Sequence, residues 1–406
     1  MDFKPVYLDT DKCNGCVNCM KRCPTEAIRV RDGKAQITYE RCIGCGECVR
    51  HCPTHAKKEF FDTLDCIKKY KYKVAVPSPS IYGQFNNLTD TDYLLTAIKK
   101  LGFDDVVEAA VGAEFVSAAT AEYIKTCHSS HKPVISSACP AVVNLILMRY
   151  EHLIDNLSPM QQPEEVTANM ARAKAQMETG LAPEEIGVFV ITQCAANVMS
   201  LKNSVNAKVD GVLSSKELYF PLLQKLTDLK PEEVEKLSMA GSLGVSWGAS
   251  SGEAHGLKTD NYLSADGMDN VISVLGDLEH DRLASIDFVE LYACNLGCVG
   301  GSMNMESSFL ARTRLRKLRN SMQEKRISVT DFSAYKRKEA YKCNNVFKMD
   351  DNILEAMRKT LKIKDIVSRL PGINCGSCGA PTCMAFAEDI VRGIKAKCRY
   401  VVEEKK

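Results

Sequence analysis

Glu290-Leu291-Tyr292-Ala293-Cys294-Asn295-Leu296-Gly297-Cys298-Val299-Gly300-Gly301-Ser302 sets two thiols four residues apart in a glycine-rich turn. The β-like segment Ile286 to Val289 leads into it, and glycines there would let the backbone approach a bulky ligand. Two cysteines far upstream have a similar setting, each after an apolar strand-like segment. Cys139 follows Val134-Ile135-Ser136-Ser137-Ala138, and Cys194 follows Val188-Phe189-Val190-Ile191-Thr192-Gln193. A single such cysteine reads most simply as a buried packing residue. Four of them at strand ends read as ligands of one inorganic group.

Composition narrows the setting. A chain of 406 residues can form two or three domains with ample core. Nineteen cysteines without an apolar leader after Met1-Asp2-Phe3-Lys4-Pro5 indicate metal ligation in a reducing compartment, and a cytoplasmic location is expected. No apolar run approaches the ~20 residues that cross a bilayer, so no membrane partner is expected. The net charge of +2 gives no general argument for a nucleic-acid partner. From Arg312 to Lys342 eleven Lys or Arg face three acidic residues. That bias reads first as a solvated helix face and second as a dock for an acidic redox partner.

Upstream lies an internal repeat. Cys13, Cys16, Cys19, Cys23 and Pro24 recur 29 residues later as Cys42, Cys45, Cys48, Cys52 and Pro53. The pattern resembles the bacterial two-cluster ferredoxin domain. In such domains the fourth cysteine of each run ligates the other cluster, which implies one [4Fe-4S] cluster on Cys13, Cys16, Cys19 and Cys52 and a second on Cys42, Cys45, Cys48 and Cys23. Zinc ribbons would use only four of these thiols. A segment of this size has too little apolar surface to be stable without the clusters.

From residue 72 the pattern alternates. Strands are expected at 73–77, 105–109, 133–136, 187–192 and 210–213. Helices are expected at 92–101, 113–126, from Ala141, and at 216–226. This predicts parallel sheets with ligands at the carboxyl ends of the strands. The small-residue segment 244–252 reads as a loop, with Trp247, the sole tryptophan, as a packing residue. In the tail, Cys375, Cys378, Cys383 and Cys398 resemble the small Fe-S domain of corrinoid and Rnf-type electron-transfer proteins, with the last ligand carried by a helix around 385–395. Four thiolates suit zinc as well, and the irregular spacing does not decide between the metals. Cys66, Cys127 and Cys343 are left without a ligand role.

Together these motifs resemble the [FeFe]-hydrogenases, with the likeness running from about residue 70 to 320. The resemblance implies an α/β fold: a two-lobed H-cluster domain at 66–345, an α+β ferredoxin domain at 1–62 and a small Fe-S domain at 350–406. It implies that Cys139, Cys194, Cys294 and Cys298 hold a [4Fe-4S] cubane, with Cys298 bridging to a two-iron subsite carrying CO and cyanide. Three additional [4Fe-4S] clusters complete the cofactors. Two family positions are altered. The family's proton-relaying thiol is Ala138 here, in Ser137-Ala138-Cys139-Pro140, and the lysine donating to a cyanide is Asn197. A methyl group carries no proton, and a neutral amide donates a weaker hydrogen bond than an ammonium. The next relay position falls on Ala119, with Glu122 off register, and the methionine before the third-motif cysteine is Tyr292.

The Ala-Cys-Pro motif resembles the groups of this family assigned a sensory role. The implied function is slow, reversible hydrogen oxidation and proton reduction, with electrons passing through [4Fe-4S] clusters to a redox partner or a downstream signalling protein. A homodimer is compatible with this. Many of those relatives carry a PAS domain, which this sequence, ending at Lys406, does not include. The alternative is a Nar1-like iron-sulfur scaffold without a two-iron subsite.

Overall fold

The computed structural model describes residues 3–126, 132–257, 259–394 and 397–400. Cys127 lies outside them. The chain forms two compact units, one of residues 1–59 with 343–406 and one of residues 60–342. Nothing in the sequence signals that the first and last segments share a unit.

In the first unit, β1 (Val6–Leu8), β2 (Ile28–Arg31), β3 (Lys34–Ile37) and β4 (Lys57–Glu59) form two antiparallel pairs, β1 with β4 and β2 with β3. The β2–β3 hairpin turns on Asp32 and Gly33, both at positive φ, the conformation that follows strand twist in a two-residue loop. Duplication shows in the backbone. Left-handed residues recur 29 positions apart: Gly15 and Gly44, Val17 and Gly46, Glu26 and His55. The tail adds the helices Ile353–Ser368 and Cys383–Val391.

In the second unit, β5 (Tyr72–Pro77), β6 (Asp105–Val106), β8 (Ile186–Thr192) and β9 (Gly211–Ser214) make a parallel sheet in the order β6-β5-β8-β9. A second parallel sheet runs β10-β11-β7, from β7 (Val134–Ile135), β10 (Tyr262–Asp266) and β11 (Phe288–Tyr292). The expected α/β architecture is therefore present. Every residue of β8 is buried, as a central parallel strand covered on both faces requires. Helices leave the strand ends: Pro140–Arg149 beyond β7, Ala195–Lys202 beyond β8 and Ser215–Asp228 beyond β9.

Some expectations need correction. The strand expected at 105–109 pairs over only two residues, because the next helix, Ala109–Thr126, starts four residues early. The segment 244–252 is not an open loop. The short helices Ser242–Ser246 and Gly252–Gly256 meet at a turn there, fixed by the Ser246 hydroxyl, which donates to Gly252 O at 2.9 Å. Trp247 does pack. It is buried beside Ala113, Val116 and Met160, and its Nε1–H donates to Ser117 Oγ at 2.9 Å. Among the described residues no helix is long and apolar enough to cross a membrane.

Candidate metal centres

The two sheets of the second unit aim their carboxyl ends at one cavity. Cys139 lies four residues past β7, Cys194 two past β8 and Cys294 two past β11, with Cys298 on the turn that follows. All four line a cavity with Ala138, Pro140, Glu164, Gln193, Asn197, Tyr292, Gly297 and Gly301. Cys194 caps its helix, its Sγ accepting from the Asn197 amide at 3.4 Å. Burial and the neighbouring thiols push Cys139, Cys194 and Cys298 up, so without metal they stay protonated, and metal uptake must release those protons.

The loop glycines serve a different neighbour from the one expected. A Cβ on Gly297 would stand 2.4 Å from Ser250 N, and one on Gly301 2.4 Å from Gln193 O. They let the turn close on protein backbone, which Ser250 N to Leu296 O and Val299 N to Gly248 O then fasten at 3.1 and 2.8 Å.

Among the described residues no Lys, Arg or His lines the cavity. Asn197 Nδ2 donates instead to Thr192 Oγ1 at 3.0 Å and to Glu164 Oε1 at 3.3 Å, and Ser78 Oγ donates to the same Glu164 oxygen at 2.7 Å. Burial pushes the Glu164 carboxyl up. Sequence reading missed Glu164. As an acidic residue in the first turn of the helix Pro163–Thr179, after a capping glutamine, it looks like an ordinary complement to the helix dipole. Behind Tyr292 lie two more buried acids. Ser136 Oγ donates to Glu253, and Glu290 accepts from the amides of Ala254 and Glu253. Burial first, then the Glu290 charge, pushes Glu253 up to about 8; burial pushes Glu290 up to about 7. The buried Tyr292 hydroxyl faces Glu290 without a well-formed hydrogen bond. Ala119 and Glu122 do not line the cavity. Ala119 is buried in an apolar cluster, and Glu122 pairs with Lys125 at 2.8 Å.

The first unit holds three more four-thiol cavities. Cys13, Cys16, Cys19 and Cys52 line one, and Cys23, Cys42, Cys45 and Cys48 another. These are the crossed sets implied by the ferredoxin resemblance. Cys23 Sγ accepts from the Ala27 amide and Cys52 Sγ from the Ala56 amide, each at 3.2 Å, so the duplication reaches the sulfur environment. Cys375, Cys378, Cys383 and Cys398 line the third. Among the described residues no three Cys, His, Asp or Glu side chains gather closely enough for a single ion. The four-thiol sets instead surround cavities, a geometry suited to a cluster. Cys66 packs against the core of the second unit, and Cys343 Sγ donates to Asn345 Oδ1 at 3.4 Å.

Comparison with known proteins agrees with this layout. Residues 71–256 match the family model for the C-terminal domain of the iron-only hydrogenase large subunit. Residues 5–53 match a 4Fe-4S dicluster domain and residues 370–400 an Fe-S cluster model. Iron hydrogenase 1 of Clostridium pasteurianum is 22% identical over 307 residues, covering 62% of this chain and 54% of that protein. A probable cytosolic Fe-S cluster assembly factor of Caenorhabditis elegans, oxy-4, is 23% identical over 254 residues, 50% of this chain and 55% of that one. The chain thus spans about half the length of these curated relatives. A variant of the [FeFe]-hydrogenase HydA1 from Chlamydomonas reinhardtii superposes with a TM-score of 0.53 at 16% identity, covering 69% of this chain and 98% of that one. The second unit thus has the [FeFe]-hydrogenase fold.

Proposed function

We propose that the chain is an [FeFe]-hydrogenase of low turnover, suited to sensing, that interconverts hydrogen with protons and electrons. The observation carrying this reading is the convergence of Cys139, Cys194, Cys294 and Cys298, from two sheets, on a cavity with further polar walls. The donor set fits: four thiols for a cubane, Cys298 at the family's bridging position, and Ala138 too small to fill the remaining room. When bound, the two-iron group supplies the two-electron chemistry.

The residues of this chain set the terms of that chemistry. Asn197 donates to Glu164 at the cavity wall and offers a neutral amide where the family has an ammonium. An anionic subsite is then held by weaker hydrogen bonds, without a fixed cation. Ala138 cannot accept a proton, so proton exchange runs more slowly than in a relay whose members touch. The measurement is infrared spectroscopy of the matured protein, with hydrogen–deuterium exchange. CO and cyanide bands with slow exchange are expected. Iron-sulfur absorption with neither bands nor exchange would overturn the reading in favour of the scaffold role, which the assembly-factor relatives and Asn197 would then explain.

A further inference from the structure

Strand β2 separates two kinds of site, and its alternation does so residue by residue. Successive side chains of a strand point to opposite faces. Ile28 lines the cavity of Cys23, Cys42, Cys45 and Cys48, and Val30 that of Cys13, Cys16, Cys19 and Cys52. Arg29 and Arg31 face the other way and converge on Asp389, which is 3% exposed. Arg29 Nε reaches Asp389 Oδ2 at 2.8 Å and Arg31 Nη2 reaches it at 2.7 Å. Asp389 lies on the helix Cys383–Val391, which carries a thiol of the C-terminal set.

The loop of that set is pressed onto the same strand. Val30 N donates to Gly379 O at 3.0 Å, and a Cβ on Gly379 would stand 1.9 Å from Val30 O. A Cβ on Gly376 would stand 3.1 Å from Met20 Cε, the side chain next to Cys19. Lys21 Nζ donates to Pro381 O at 3.1 Å, and Arg31 donates to Cys378 O. Cys375 is exposed.

We propose that the C-terminal four-thiol set is an electron port wired to the ferredoxin set Cys13, Cys16, Cys19 and Cys52 through Val30, with Asp389 as the positioning residue. The proposal rests on the reading that both sets hold [4Fe-4S] clusters. A one-electron donor docks at the Cys375 edge and is oxidised by one electron. The C-terminal cluster is reduced and then reoxidised as that electron crosses β2 to the ferredoxin cluster. No bond or proton changes place.

The test uses the full chain, reconstituted with iron and sulfide and without the two-iron group, so that hydrogen turnover plays no part. Iron is counted, the clusters are reduced stepwise, and spin relaxation of the ferredoxin signals is followed by electron paramagnetic resonance. Stopped-flow bleaching by reduced methyl viologen gives the kinetics. Relaxation of the Cys13 set should quicken severalfold when the C-terminal cluster is reduced. This effect should vanish in the double variant Cys375→Ala, Cys378→Ala. Asp389→Asn, with its iron retained, should weaken the coupling and slow ferredoxin bleaching severalfold. Full iron with signals indifferent to one another would overturn the port while leaving the cluster reading intact. Wild type lacking the iron of the C-terminal set would overturn both. An Asp389→Asn protein matching wild type would remove Asp389 from the proposal.

Discussion

On the proposed function, Ala138 stands where a proton relay would begin, at the wall of the four-thiol cavity. Ala138→Cys restores a thiol at the cavity wall, but the next acceptor position, Ala119, lies buried among apolar groups. Glu122 is tied to Lys125. A missing relay member costs about 10²–10⁴ in rate, and members of one relay are not additive, so we expect the single variant to remain slow. Hydrogen evolution by matured wild type and Ala138→Cys checks this; activity near that of a fast hydrogenase would refute it. The buried acids give a second expectation. Glu253 and Glu290 hold their protons to about 8 and about 7 when folded, against 4.5 in the open chain. The folded state binds more protons between those values, so stability falls as pH rises from about 4.5 to about 8, by on the order of a few kcal/mol. Melting curves from pH 5 to 8 should show this decline, and Glu253→Gln should flatten it. Equal slopes would count against the buried pair.

At the scale of elements, the cysteine motifs were legible because ligand spacing is a local property. The two four-cysteine runs and the strand-end position of Cys139, Cys194 and Cys294 follow from residues close in sequence, whereas the crossing of the ferredoxin sets comes from the family resemblance. Partners distant in sequence were not legible. Glu164 meets Asn197 only because the helices Pro163–Thr179 and Ala195–Lys202 are folded onto one cavity, and the early start of Ala109–Thr126 has no marker stronger than its alanines. Asp389 is the clearest case: nothing near it identifies Arg29 and Arg31 as its partners. Removing the carboxylate leaves two largely buried guanidinium groups without their counter-charge, and breaking such a cluster costs about 3–5 kcal/mol. Asp389→Ala should therefore lower the denaturant midpoint for cluster bleaching in the first unit while leaving the second unit's transition in place. Unchanged bleaching would show that the ion pairs add nothing.

For the whole molecule, sixteen of the nineteen cysteines fall into four sets of four around separate cavities. Metal analysis of the reconstituted chain should find iron and sulfide in equal amounts and no stoichiometric zinc. Stripping the iron should unfold the first unit more readily than the second, whose apolar core is the larger. That first unit is also assembled from both ends of the chain, residues 1–59 and 343–406. A ribosome delivers the eight repeat cysteines well before the carboxylate that faces Arg29 and Arg31, with all of 60–342 made in between. The repeat segment therefore waits through the synthesis of 60–342 with β2 uncovered on its arginine face. Iron-sulfur loading of the two ferredoxin sets then has a natural place in that order, before Asp389 closes over β2.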